Sequence, residues 1–402
     1  MKRICHLGLG RFHRAHQAVY LNDLIERGDD DGWRICGIGV READRPVLAA
    51  LRAQDHRYSV WEVDGETRGT VVGSITQTID ASENWEQAIA AMSDPATRII
   101  SLTITEAGYV EQPKSAIELV TRALVARRDA KRGGVTLLSC DNLIANGKRL
   151  QSAVLTVARQ LDGKLARWIE KEVSFPCSMV DRITPAADPA LLAELGVDDP
   201  CAIVCEPWRQ WIIEDHFVAG RPKLENAGAV FSSNVKAYED LKVGLLNGGH
   251  SAIAHLGLLL GYERVDEAMG DPLVRGFLEG YMRDVAEVLR PPPALDVERY
   301  QATLVERFSN SKIKDQLARL AQDTERKLEQ ALIPPLAARV ERNLPLARLT
   351  VAIALWMRNE QRDEIALPLP GRAREAVADH LHAMQAVGVE AWVEALQECD
   401  VP

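Results

Sequence analysis

The sequence contains no stretch approaching the roughly twenty apolar residues that a membrane span needs. Its first apolar segment, Ile4 to Leu9, is too short for the core of a signal peptide and runs straight into polar residues. There is no excess of basic charge. Lys and Arg number 48 against 58 Asp and Glu, for a formal net charge of −10 and a pI near 5.5. That balance discourages nucleic-acid and membrane-surface binding, so any anion site must be built locally from a few cations and helix N-termini. The seven cysteines show no zinc-finger or redox pairing pattern. Cys201 and Cys205 are close, but no histidine or further cysteine completes a ligand set. Cys5, Cys36 and Cys140 sit inside apolar runs, where buried inert thiols are expected. Scattered cysteines in odd number suit a reducing compartment, and the chain reads as soluble and cytoplasmic. His13, His16, His250 and His255 lack three-ligand metal spacing, and His380 and His382 are expected on a helix surface. No metal site is expected. Internal repeats and low-complexity segments are also missing.

What remains is an ordinary globular composition, 47% apolar and 26% charged, in 402 residues. That length exceeds what one core usually organises, so two domains are expected. The first half alternates short β-rich runs with amphipathic helical stretches. Strands are expected over Arg3–Gly8, Trp33–Val40, Arg98–Thr105 and Val135–Cys140, with helices near 16–27, 116–131 and 147–161. Arg57–Val63 and Thr70–Ile75 flank Asp64-Gly65, which suggests a hairpin. This β-α-β-α order argues for a Rossmann-like, mostly parallel sheet over residues 1–234. From about Asn234 the strand signals fade. Helical spacing covers 241–260, 272–289, 334–342, 347–358, 373–387 and 390–398. An all-helical domain over 235–402 is expected, with the cleft between the domains as the default site.

The first strand ends in Gly8-Leu-Gly10-Arg-Phe-His13 and opens a helix. In a dinucleotide-binding fold the first glycine allows the tight turn and the second lets a pyrophosphate approach the backbone. The third glycine of the usual fingerprint is replaced by His13, and two glycines after a strand can also be a simple turn. The second strand ends in Val40-Arg41-Glu42-Ala43-Asp44. An acidic residue at such a tip binds the ribose hydroxyls of NAD, whereas an arginine accommodates the phosphate of NADP. Glu42 is the expected ribose contact, with NAD preferred and NADP open through Arg41. A solvated Arg41–Glu42 surface pair is the plain alternative.

Lys242-Val-Gly-Leu-Leu-Asn247-Gly-Gly-His250 places three polar groups in an apolar segment. On a helix Asn247 and His250 share a face, with Lys242 about one turn away. A lysine beside a buried apolar run can be desolvated into a base for an alcohol proton. A surface lysine near a capping histidine is the plain alternative.

These stretches, read together, resemble the long-chain polyol dehydrogenase family, which includes mannitol 2-dehydrogenases, D-arabinitol dehydrogenases and the fructuronate and tagaturonate reductases. The likeness rests on Gly8-Leu-Gly-Arg-Phe-His-Arg-Ala-His-Gln17, Thr105-Glu-Ala-Gly-Tyr109 and Ser139-Cys-Asp-Asn-Leu143 with Asn146-Gly147. It continues through Met179-Val-Asp-Arg-Ile-Thr-Pro185, Trp211-Ile-Ile-Glu-Asp215, the Lys-x4-Asn-x2-His pattern and Arg307-Phe-Ser-Asn310. They stand in family order over nearly the whole chain.

The resemblance implies a zinc-independent transfer of hydride between NAD and a polyol carbon. Lys242 is then the general base, and Asn247 and Asn142 are amide donors to the developing alkoxide. His250 and Asp181 hold substrate hydroxyls, and Arg319 and Lys327 stand at two further substrate positions. Gly8, Gly10, Phe12, His13, Arg41, Glu42 and Glu106 form the cofactor side. The segment Asp323-Thr-Glu-Arg-Lys327 departs from the family's glycine- and serine-containing version. The chain also begins almost at its first strand and has shorter loops than longer members, which bears on substrate choice. A hexuronate reductase would need a cation for the substrate carboxylate, from Arg319, Lys327 or Arg182. A polyol phosphate enzyme would need a phosphate cluster, and none stands out. A nucleotide-sensing scaffold on the same fold would have no use for Lys242. A small-molecule substrate and a monomer or weak homo-oligomer are expected.

Overall fold

The computed structural model describes residues 1–109, 114–186, 189–293, 295–362, 364 and 367–398. The chain separates into two compact units, Met1–Val235 and Lys236–Pro402.

In the first unit the strands are β1 (Lys2–Leu7), β2 (Trp33–Gly39), β3 (Tyr58–Val63), β4 (Thr67–Val72), β5 (Ile75–Asp80) and β6 (Thr97–Leu102). They continue as β7 (Val135–Ser139), β8 (Val173–Ser174), β9 (Ser178–Asp181), β10 (Ile203–Cys205), β11 (Gln210–Ile213) and β12 (Val230–Phe231). Six of them form one sheet in the order β5-β2-β1-β6-β7-β8, with every pairing parallel. Both faces are covered by helices, which is why the strands read as nearly unbroken apolar runs. Successive residues alternate between two cores. Ile4, Ile35, Ile99 and Leu138 point into one, and Cys5, Cys36, Ile100 and Leu137 into the other. The chain runs outward from β1 to β2 and β5, then returns to lay β6, β7 and β8 on the other side. The order therefore reverses between β1 and β6.

The hairpin is present as β3 and β4, in antiparallel register from Tyr58↔Val72 to Val63↔Thr67 around Asp64-Gly65-Glu66. The expected strand over 70–75 is split, however. Gly73 donates its N–H to Asn22 Oδ1 (2.8 Å) and Ser74 its hydroxyl to the Ala18 carbonyl (2.7 Å). These bonds pin the chain to helix Gln17–Arg27 before it turns into β5, the sheet edge. Helix Gly163–Glu172 follows Asn146–Leu161 after Asp162 alone, whose side chain caps the new helix by accepting from Lys164 N. The six described cysteines are buried free thiols.

In the second unit helix Gly248–Leu259 is buried on nearly every face. Helices Pro272–Ala286, Leu317–Leu320, Thr324–Ala331 and Ala347–Asn359 pack around it. The helix expected over 241–260 is three pieces: an α-helix Val235–Leu241, a π-helix Lys242–Asn247 and the α-helix from Gly248. His380 is not on the surface as expected. It falls on the buried stripe Ala373, Val377, His380, Met384 of helix Gly371–Val387, and its Nε2 lies 3.0 Å from Thr350 Oγ1. His382 is exposed. Among the described residues no helix is long and apolar enough to cross a membrane.

Candidate active site

At the C-terminal edge of the parallel sheet, where the strand order reverses, lies a pocket of about 290 Å³. Its walls come from the loops after β1 (Gly8), β2 (Val40, Arg41, Asp44) and β6 (Thr103, Ile104, Thr105, Ala107, Gly108), closed by Lys114, Ser115 and Ala116. A crevice at such a switch point is where open α/β sheets bind ligands. Gly8 has φ +96°, and a Cβ there would lie 2.1 Å from the Thr103 carbonyl oxygen. A Cβ on Gly10 would meet nothing within 4 Å, which leaves the backbone at the start of helix Arg11–Ala15 open to close approach. These features fit a dinucleotide pyrophosphate.

The other cofactor-side residues are distributed differently. Phe12 is partly buried and stacks on His16 at 4.9 Å between centroids. His13 lies in the core, its ring stacked on His6 at 3.4 Å, and neither ring nitrogen has a hydrogen-bond partner. Burial, then the neighbouring His6, holds it well below the ordinary histidine range. Glu42 is exposed and is not among the lining residues. Glu106 lies in the turn Glu106–Tyr109 and accepts from Arg149 Nη1 at 3.2 Å. The acidic residue lining the pocket at the β2 tip is Asp44. Its Oδ2 accepts from the Val40 and Arg41 N–H groups (2.9 and 3.0 Å), and its Oδ1 from Arg41 Nη2 (3.1 Å). An aspartate three residues after Arg41, opening a helical turn, was the available signal for it.

Beneath the Gly8 turn runs a buried polar layer. His6 Nε2 lies 3.1 Å from the Gly8 carbonyl and 2.9 Å from Thr103 Oγ1, and its Nδ1 is 2.8 Å from Ser101 Oγ. Thr103 donates its hydroxyl to the same Gly8 carbonyl at 2.7 Å. Burial lowers the His6 pKa to about 3.

Asn142 follows β7 between Asp141 and the helix Asn146–Leu161. Asn146 ties this stretch down. Its Nδ2 donates to the carbonyls of Ser139, Asp141 and Ser178, and its Oδ1 accepts from Ser178 N. Asp181, at the end of β9, is 3% exposed and accepts from Trp208 Nε1 at 3.1 Å. Arg182 is fully enclosed, donating to the Ala15 carbonyl (2.6 Å) and the Glu206 carbonyl (3.0 Å) and pairing with Glu62. It is a structural cation, not one facing a ligand.

In the helical unit Lys242 is 5% exposed and opens the π-helix. In an α-helix residues five apart lie about 140° apart around the axis. The i→i+5 bonds of a π-helix bring such residues over one another instead. Lys242 and Asn247 therefore share a face, and His250 follows from the first turn of the next helix. The π turn forms where glycines let a neighbour approach. Tyr281 donates its hydroxyl to the Gly244 carbonyl at 3.2 Å, and a Cβ on Gly248 would sit 2.2 Å from that oxygen. His250 stacks on Phe308 with centroids 4.0 Å apart and planes 18° apart. Arg319 forks onto Asp315 (Nε 2.9 Å, Nη2 2.7 Å to Oδ1). Lys327 Nζ donates to the carbonyls of Leu320 (2.9 Å) and Gln322 (2.6 Å). Burial, and then the charge of Arg319, lowers its pKa. Among the described residues no three His, Cys, Asp or Glu side chains gather as a metal ion requires.

A parallel sheet with a glycine turn and a pocket at its switch point, followed by a helical unit carrying a buried lysine, is the plan of a dinucleotide-dependent oxidoreductase. Residues 2–226 match the Mannitol dehydrogenase Rossmann domain and residues 234–399 the Mannitol dehydrogenase C-terminal domain. The chain belongs to the mannitol dehydrogenase family. It is 39% identical over 389 residues to the D-mannonate oxidoreductase of Escherichia coli, covering 89% of this chain and 80% of that one. It is also 39% identical over 383 residues to the mannitol 2-dehydrogenase of Cereibacter sphaeroides, covering 88% and 80%. The Pseudomonas fluorescens mannitol 2-dehydrogenase, in ternary complex with NAD and D-mannitol, superposes with a TM-score of 0.83 at 35% identity. That match covers 99% of this chain and 91% of the other.

Proposed function

We propose that the chain transfers a hydride between NAD and a secondary alcohol carbon of a mannitol- or arabinitol-like polyol, giving the ketose. The observation that carries this reading is the buried Lys242, set by the π turn on one face with Asn247 and followed by His250. NAD, when bound, accepts the hydride. Lys242 takes the hydroxyl proton, a role to which a buried lysine is suited. The side-chain amides of Asn247 and Asn142 donate to the oxygen as negative charge develops on it. His250, its ring fixed against Phe308, and Asp181, held by Trp208, bind substrate hydroxyls. Gly8 and Gly10 receive the pyrophosphate, and Arg41 and Asp44, which line the pocket at the β2 tip, stand at the adenosine ribose. On this reading residues 1–234 bind the dinucleotide and 235–402 supply the base. The enzyme works in the cytoplasm as a monomer or weak homo-oligomer.

The likeness to D-mannonate oxidoreductase favours a second reading, reduction of a keto-uronate. Such a substrate needs a cation for its carboxylate. Arg182 is enclosed, Arg319 is engaged by Asp315, and Lys327 caps two carbonyls. Those pairings favour the polyol.

An absorbance assay of NADH formation and loss, across alditols, hexonates and their keto forms, with and without a chelator, tests both. NADH formed from one alditol supports the first reading. Activity confined to keto-uronates moves the chain to the second. Lys242→Ala should lose turnover by about 10²–10⁴-fold while still binding NAD. A variant as active as the parent would remove Lys242 from the chemistry.

A further inference from the structure

The stretch from Thr103 to Tyr109 forms one wall of the dinucleotide pocket, and Asn142 stands on a separate loop after β7. One carboxylate joins them. Asp141, 6% exposed, accepts the Thr105 N–H on Oδ1 at 2.7 Å and the Tyr109 hydroxyl on Oδ2 at 2.8 Å. The Tyr109 oxygen also lies 2.6 Å from Ser139 Oγ. A hydroxyl chain from Ser139 through Tyr109 therefore ends on the buried carboxylate. The main chain of Asp141 is anchored as well, because its carbonyl accepts from Asn146 Nδ2 (3.0 Å) and Leu143 N (2.9 Å). Through Asn146 the same anchor reaches Ser178 on β9, the strand that ends at Asp181.

The backbone on both sides needs such a grip. Thr105 has φ +61° and Ala145 φ +52°, the left-handed region that a β-branched threonine in particular avoids. Conformations of this kind persist where the surroundings over-determine them. For Thr105 the surroundings are Asp141, which takes the N–H of that residue.

We infer that Asp141, together with Tyr109, is a positioning residue that locks the Thr103–Tyr109 wall of the dinucleotide pocket to the loop carrying Asn142. The inference rests on the proposed roles of that pocket and of Asn142. A charged acceptor suits the task, since hydrogen bonds to a carboxylate are shorter and stronger than those between neutral groups. Burial pushes the Asp141 carboxyl up, while the Tyr109 and Thr105 donors pull it down. Burial and Asp141 together hold the Tyr109 hydroxyl up, so it remains a donor.

The test compares wild type, Asp141→Asn, Tyr109→Phe and the double variant. It measures NAD dissociation by fluorescence titration, KM and kcat for the alcohol oxidised, and the thermal midpoint. Tyr109→Phe removes one oxygen and keeps the ring, so it carries the test if Asp141→Asn fails to fold. Losing a hydrogen bond to a charged group should raise the NAD Kd about tenfold in each single variant. kcat should fall in Asp141→Asn, with the alcohol KM within about twofold. The double variant should be no worse than Asp141→Asn, because both changes break the same bond. Lowered thermal midpoints with NAD Kd and kcat unchanged, or losses that simply multiply in the double variant, would overturn the inference. A wild-type chain that binds NAD but oxidises no alcohol would refute the proposed function, yet the NAD arm would still decide the role of Asp141.

Discussion

Lowering the pH from 7 to 5 should cost the N-terminal unit about 4 kcal/mol through two histidines alone. Burial is the main cause for both His6 and His16, and each has its pKa lowered to about 3. His16 shows why protonation is unwelcome. Its Nε2 lies 3.0 Å from the Gln210 carbonyl and must carry the hydrogen, while Nδ1 is buried with no partner. A second proton would place an unpaired N–H⁺ in the core, near Arg182 and Arg209. The unfolded rings titrate near pH 6.5, so below that pH the unfolded chain binds protons that the folded chain refuses. Stability is therefore fully present above pH 6.5 and is lost as pH falls toward 3. At pH 5 each ring contributes about 2 kcal/mol of that loss. His13 shifts in the same direction and adds to it. Urea unfolding at pH 7, 6 and 5, followed through protection of the β1 amides, reads the effect. His16→Gln keeps a donor for Gln210 but carries no titrating ring, so between pH 7 and 5 its stability should fall less steeply, by about 1 kcal/mol per pH unit. Equal stability at pH 7 and 5, or an unchanged slope in His16→Gln, would refute the reasoning.

Gly8→Ala should raise the NAD Kd by about tenfold or more, since its Cβ would strike the Thr103 carbonyl and the turn needs positive φ; titration with NAD checks this. Tyr281→Phe leaves the Gly244 carbonyl of the π turn without its hydroxyl donor, at a cost of about 1–3 kcal/mol. Because that turn puts Lys242 and Asn247 on one face, kcat should fall more than the midpoint shift alone would suggest, as steady-state kinetics beside calorimetry can show. Arg127→Met should be among the most damaging core changes, about 4 kcal/mol or more. The guanidinium donates to the carbonyls of Met92, Asp94, Thr97, Gly133 and Gly134, and lysine cannot reproduce that fan; urea unfolding of Arg127→Met and Arg127→Lys measures it.

The mainly apolar runs at 4–7, 35–38, 99–102 and 135–138 were legible as buried parallel strands, because a sheet covered on both faces buries both sides of each strand, and the few polar residues within them, His6, Ser101 and Thr136, are buried as well. Gly8 was legible because a strand end that turns at once at positive φ (+96°) favours glycine locally, whereas the Thr103 carbonyl that also excludes a Cβ there was not legible. The short helices Arg45–Ala53 and Trp85–Ser93 were not, since a few turns carry little periodic signal. The break at Gly73-Ser74 depends on Asn22 and Ala18, some fifty residues earlier in the chain.

By itself, then, the sequence determined the layered α/β half, the helical half and the glycine turn. These follow from periodicity and backbone sterics, which act between near neighbours. Tertiary structure alone decided that residues 242–247 wind as a π-helix, which puts positions 242 and 247 on one face. It also decided that Asp44 rather than Glu42 lines the pocket, and that Asp141 grips Thr105 and Tyr109. Each of these depends on a partner brought in from elsewhere in the chain or on how a turn winds, and no local pattern records where that partner will be.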